Sequence, residues 1–248
     1  MLCEIPEDEF AAALDACASE LLWEAGVAEP PVDALEVAAG LGLVVARDYS
    51  MACRGRFVRL AESERCSNSL GTIVVGTAER PEREQWAVAH EIGESVAYRV
   101  FERLGVAFDE ALSTARELVA NRLAGALLLP RRWFAADGLE LDWDLFAVKE
   151  RYDTASHELI ARRMLEMRSP IVITLCDLGR VRWRRSNVAA RPPAMLPEER
   201  DVWQSAHVTG LPASEALGGE TGLELARCWP IHEPDWKREI LRSEIAEW

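Results

Sequence analysis

The sequence has no CxxC pair, no long apolar run, almost no lysine, four histidines and little glycine or proline. Each shortage excludes something. Six cysteines, at positions 3, 17, 53, 66, 176 and 228, show neither a disulfide framework nor paired thiolate ligands. They read as reduced, buried small hydrophobes. The longest apolar run, near 123–129, falls well short of the roughly 20 residues a spanning helix needs, so no membrane segment is expected. With 15 glycines and 12 prolines in 248 residues, the chain is not of the low-complexity or disordered type. Its acidic opening, Met1 to Glu9, lacks the basic region of a secretory signal, and a cytoplasmic location is expected. Only two lysines stand against 26 arginines, so an arginine cluster here reflects composition before it reflects function.

What is present is a chain of 248 residues, 49% hydrophobic, long enough for one large domain or a domain with a smaller companion. Formal net charge is −14, which argues against direct nucleic-acid binding, since that affinity comes from neutralising phosphates. The acid is uneven. Residues 1–130 hold 11 basic and 22 acidic side chains, residues 131–248 hold 17 and 20, and only the second part suits an anionic partner.

Apolar periodicity predicts helices over 9–25, from Pro31 to Gly40, over 81–100 with Pro81 in the first turn, and over 113–129 with Ser113 as N-cap and Pro130 as the stop. Two shorter helices, 143–152 and 156–167, flank Asp153-Thr154-Ala155, with Ser156 or Thr154 as cap. Short strands are expected at 41–46, 55–60 and 71–75, and a hairpin over 170–187 turning at Asp177-Leu178-Gly179. Residues 189–200, with Pro192, Pro193 and Pro197, read as a linker. Beyond it, 223–229 reads as a strand and 236–245 as a terminal helix. There is no internal repeat.

Chemistry concentrates in the 81–100 helix, at Ala89-His90-Glu91-Ile92-Gly93-Glu94. In an HExxH helix, positions i and i+4 share a face and hold a metal, while the intervening Glu activates water. Here His90 takes the first ligand position, Glu91 the base position and Glu94 the second ligand position. Such a match arises by chance in roughly 6% of chains with this Glu content and four histidines, so the motif alone also fits a solvated acidic helix face.

The next long helix carries Glu117-Leu118-Val119-Ala120-Asn121-Arg122-Leu123-Ala124 and ends Leu127-Leu128-Leu129-Pro130. With the HEIG segment, Pro31-Val32-Asp33-Ala34-Leu35 and Tyr152-Asp153-Thr154-Ala155-Ser156-His157-Glu158, it resembles the ImmA/IrrE family of metallo-endopeptidases over roughly residues 30–190. The resemblance implies a zincin-like helical core with a small sheet. It also implies a divalent metal, zinc by family, held by His90, Glu94 and Glu117, with Glu91 as catalytic base and Asn121 behind Glu117. Tyr98, Arg116 and His157 are candidates for substrate contact. The family pattern has His where this chain has Glu94. Two carboxylates and one imidazole leave a bound dication neutral, which lowers the pKa of bound water less and makes Mn²⁺ or Fe²⁺ competitive with Zn²⁺.

The expected architecture is therefore α+β. A metallopeptidase-like domain spans 1–190, and a small C-terminal α/β unit of unassigned role spans 198–248. The resemblance implies a cytoplasmic endopeptidase acting on a protein substrate such as a helix-turn-helix repressor, and so a link to stress response and transcription regulation. A second reading keeps the fold and binds a peptide or repressor without cutting it. A third takes the 143–167 helix pair, with Arg162, Arg163 and Arg168, as a DNA-binding element, although the overall charge favours ordinary packing. The run Arg180, Arg182, Arg184, Arg185 and Arg191 suits an acidic substrate segment, a nucleic acid or, most simply, the acidic N-terminal half of the same chain. Five of nine tryptophans follow residue 180 and suit a compact core or a homodimer or partner interface. His157, His207 and His232 lack ligand spacing to a second histidine and read as structural.

Overall fold

The computed structural model describes residues 4–48, 55–59, 71–189, 191–218 and 221–246. Cys3, Cys53 and Cys66 lie outside them. The chain forms two compact units, Met1–Ser156 and His157–Trp248. The expected division near 190 falls instead at 156, because the 170–187 hairpin belongs to the sheet of the second unit.

The first unit begins with α1 (Glu7–Ala25) and α2 (Ala34–Gly40). Phe10, Ala13, Leu14, Cys17, Ala18, Leu21 and Leu22 recur at helical spacing and form the buried stripe of α1. Asp33 caps α2 by accepting from the Leu35 amide at 2.7 Å. Leu41, Gly42 and Leu43 were expected in a strand, but their amides close the end of α2 on Val37, Ala39 and Ala38. The strand is shorter, β1 (Val44–Arg47), and pairs parallel with β3 (Gly71–Val75), which pairs antiparallel with β2 (Gly55–Arg59).

Two long helices dominate, α3 (Pro81–Arg103) and α4 (Ser113–Leu128). Gln85 of α3 bonds the Ala34 amide and Asp33, which fixes α3 against the start of α2. Ser113 is the first residue of α4 rather than its cap; Leu112 precedes the helix and has no side-chain oxygen to offer. Pro130 ends α4 as expected but also opens α5 (Arg131–Glu140), a helix the periodicity did not disclose. Phe134 of α5 stacks edge-on with Trp143 and Tyr152, and the buried Tyr152 hydroxyl donates to Asp137 at 2.6 Å. Asp144 caps α6 (Leu145–Arg151) through the Phe146 and Ala147 amides.

The second unit starts with α7 (His157–Met164), shorter than expected at both ends. The Thr154 hydroxyl is buried without a hydrogen-bond partner among the described residues and does not cap it. A five-stranded antiparallel sheet follows, in the order β5-β4-β8-β7-β6. It comprises β4 (Ile171–Asp177), β5 (Arg180–Ser186), β6 (Ala213–Ala216), β7 (Leu223–Glu233) and β8 (Trp236–Ile245). Leu178 and Gly179, both at positive φ (50° and 74°), make the tight β4–β5 turn. Two expectations are overturned. Residues 236–245 are a central strand, not a terminal helix: β8 bonds β4 on one side and β7 on the other, and that pairing overrides the helix propensity of its Lys, Arg and Glu residues. Part of the expected linker is α8 (Pro197–Thr209), started by Pro197 and closed by Gly210 at φ 67°.

α8 covers one face of the sheet, where Val202, Ala206, Leu217, Leu223, Ala226, Cys228 and Leu241 form a core. Arg184 finds its partner here rather than in the N-terminal half. It grips the fully buried Glu199 of α8 with Nη2 at 2.9 and 3.0 Å, and bonds Thr174 and the Pro193 carbonyl. Burial pushes the Cys17 thiol up to about 11 and the Cys176 thiol up to about 12, so both stay protonated and unreactive.

Candidate metal centre

The site forms where α3 meets α4. Gly93 is the pivot: a Cβ there would stand 2.8 Å from the backbone oxygen of Ala120, so only glycine lets the helices approach this closely. Three residues earlier on each helix stand His90 and Glu117, and their Nε2 and Oε2 atoms lie 3.6 Å apart. That is too long for a hydrogen bond. It is close to the spacing of about 3.4 Å expected between an imidazole nitrogen and a carboxylate oxygen bound tetrahedrally to one zinc ion. His90, Glu91 and Glu94 each present a ligand atom within 4.8 Å of the others.

Burial differs across the group. Glu91 is 4% exposed, Glu94 lies in solvent, and the Glu117 side chain is 61% exposed. His90 is held by packing, with its Nδ1 buried and unbonded among the described residues, so Nε2 is its polar outlet. Glu117 is held by Asn121, whose Nδ2 donates to Oε1 at 2.8 Å and to the Glu117 carbonyl at 2.9 Å. His90 thus meets Glu117 across the helices and groups with Glu91 and Glu94 on its own helix, but Glu117 is not part of that group, so a divalent cation shared by His90, Glu94 and Glu117 requires the exposed Glu94 and Glu117 carboxylates to turn toward the imidazole.

The other expected residues are placed variously. Arg116, beside Glu117, lies over the Phe108 ring at 4.5 Å and bonds the Asp109 carbonyl. Tyr98, one turn beyond Glu94, lines a shallow depression with Glu20, Arg99, Glu102 and Arg103. His157 opens α7 in the second unit. Two of the three arginines of the supposed helix-turn-helix are engaged internally, and Arg168 is exposed. Arg162 pairs with Glu158 and covers Trp183 at 4.8 Å, and the buried Arg163 pairs with Glu166. Spacing in the sequence missed one group, His207, His232 and Glu239, whose ligand atoms also lie within 4.8 Å of one another.

Residues 42–165, half of the chain, match the IrrE N-terminal-like domain, Peptidase_M78. The chain belongs to this family. Among solved structures, the IrrE-like chain is similar to a Mycobacterium tuberculosis transcriptional regulator, with a TM-score of 0.66 and 16% identity, covering 95% of this chain and 81% of that one. At that identity the likeness is one of fold. No curated protein matches. The family's α+β character holds here, and among the described residues no helix is long and apolar enough to cross a membrane.

Proposed function

We propose that this IrrE-like protein is a metal-dependent endopeptidase in which His90, Glu94 and Glu117 hold a divalent cation and Glu91 is the catalytic base. The observation that carries this is the 3.6 Å approach of His90 Nε2 to Glu117 Oε2 across two helices, with Glu91 and Glu94 at the same imidazole. A divalent cation bound there supplies Lewis acidity to a peptide carbonyl and to water. Glu91 accepts the proton of the attacking water and passes it to the leaving amine. Its burial, which limits competing solvent, and its ligand-atom distance of at most 4.8 Å from His90 support this role. Asn121 keeps the Glu117 carboxylate turned toward His90.

The substrate class that best suits the family and its fold is another protein, and a helix-turn-helix repressor is the specific candidate. One observation favours a second reading. Glu94 in place of a histidine leaves the ligand set neutral with a dication, weakening activation of water, and a cleft so altered suits peptide binding without cleavage. Incubation of the zinc- or manganese-loaded protein with a repressor from the same gene neighbourhood, read by mass spectrometry, separates the two. Cleavage at one bond, lost in Glu91→Gln while binding persists, is the expected result. Binding with no cleavage under any metal favours the second reading, and neither binding nor cleavage removes the repressor as substrate.

A further inference from the structure

The strongest unassigned feature lies in the second unit, where α8 meets the β7–β8 hairpin. His207 sits in the last turn of α8, His232 near the end of β7 and Glu239 on β8. Glu239 is fully buried, while the two histidine side chains are 31% and 19% exposed. Its Oε1 meets His207 Nδ1 at 2.8 Å and His232 Nε2 at 2.6 Å, and its Oε2 accepts the Trp203 indole N–H at 3.0 Å. Trp203 and His207 are one turn apart on α8, so a single helix face supplies both.

A buried carboxylate costs several kcal/mol unless positive charge compensates it. The arginine beneath α8 is committed to Glu199, and Lys237, opposite His232, bonds the His207 carbonyl at 3.2 Å. Among the described residues, the groups bonded to Glu239 are two imidazoles and an indole. That leaves a rim of two partly exposed rings over a buried anionic floor, the composition of a His₂Glu cation site. Gly210, at φ 67°, ends α8 beside the cluster, with the second ring nitrogen of His232 at ordinary contact distance, 3.6 Å, from where a Cβ would stand.

We propose that His207 Nδ1, His232 Nε2 and Glu239 Oε1 form a second divalent-metal site, selective for zinc-class ions and clamping α8 to the β7–β8 hairpin. Each imidazole nitrogen, now 2.6–2.8 Å from Glu239 Oε1, opens to about 3.4 Å around a tetrahedral ion, and the partly exposed rings make that movement. Each ring turns a lone pair toward the ion, its proton passing to the other ring nitrogen or to solvent. The shell carries +1, and a fourth position faces solvent beside His207.

The test uses the full chain carrying His90→Ala and Glu117→Ala, so that only the second site is counted, whatever the first one does. After zinc loading and dialysis, metal analysis is expected to find one equivalent. Loading with Co²⁺ is expected to give the visible absorption of tetrahedral nitrogen and oxygen ligation. Adding His232→Asn or His207→Gln, both at partly exposed positions, is expected to remove the metal and the colour and to weaken zinc by more than the roughly 10–100-fold that outer partners of a ligand command. Circular dichroism of each variant without metal checks that the unit is folded. Absence of zinc in the parent, or equal zinc in the folded His232→Asn and His207→Gln variants, overturns the proposal and leaves a hydrogen-bonded cluster only.

Discussion

Asn121→Ala isolates the link between sequence and metal affinity most cleanly. Glu117 is 61% exposed, so packing does not fix its carboxylate; the 2.8 Å bond from Asn121 does. A hydrogen bond to a charged group is worth about 1.5–3 kcal/mol, and freeing a Glu side chain returns up to about 2 kcal/mol of rotamer entropy that metal binding must then remove. These overlap and are diluted by solvent, so a net loss of about 1.5–2.5 kcal/mol is expected, or zinc binding weaker by about 10–100-fold. Alanine is the better helix former, so α4 itself gains slightly and thermal stability without metal holds or rises. The assay is a calorimetric zinc titration against a competing chelator, made in the His232→Asn background so that one site is read. An unchanged dissociation constant in a protein of unchanged stability refutes the reasoning, because Glu117 would then be either positioned otherwise or not a ligand.

Three further outcomes are expected. Glu94→His restores a second nitrogen ligand and should tighten zinc binding; equal or weaker binding by titration counts against Glu94 as a ligand. Arg184→Met leaves the buried Glu199 without its cation, with, among the described residues, only the Leu196 amide and the Ser243 hydroxyl still donating to it, and should destabilise the second unit by about 3–5 kcal/mol in urea denaturation, with part of the loss recovered by adding Glu199→Gln; a loss below about 1 kcal/mol would make the pair no better than a surface bridge. Burial pushes the Glu244 carboxyl up, but Arg242 and Arg227 more than offset it and hold it below its ordinary 4.5. Its contribution is therefore complete above pH 4.5 and fades as pH falls through the lower folded value. Unfolding curves between about pH 5 and 3 should be flatter for Glu244→Gln, by no more than about 1 kcal/mol; parallel curves would refute the assignment.

The first unit was largely legible because its signals are local. Pro81 starts α3, Pro130 stops α4, and His90, Glu91 and Glu94 declare one another within a single helical turn. The approach of Glu117 was not local. It depends on Gly93 meeting Ala120, a contact between residues 27 positions apart, and only the family resemblance pointed to it. The second unit was misread where tertiary pairing decides. Lys237, Arg238, Glu239 and Glu244 make β8 look like a helix, and nothing in its own sequence announces the strands on either side. The same ignorance hid the His207, His232 and Glu239 cluster, since its members sit on α8, β7 and β8 and meet only once the sheet and helix are assembled.

The position of β8 also sets an order of events. In the sheet order β5-β4-β8-β7-β6, the strand that joins the two halves is the last of the five to be synthesised. On the ribosome, the β4–β5 hairpin and the β6–β7 pair wait as separate pieces with unsatisfied edges. A nascent chain interrupted before Trp236 therefore holds no joined sheet, and Glu239 is not yet there to gather the two histidines. A product truncated before β8 would therefore present the open edges of β4 and β7 to proteases and chaperones instead of a partly working protein.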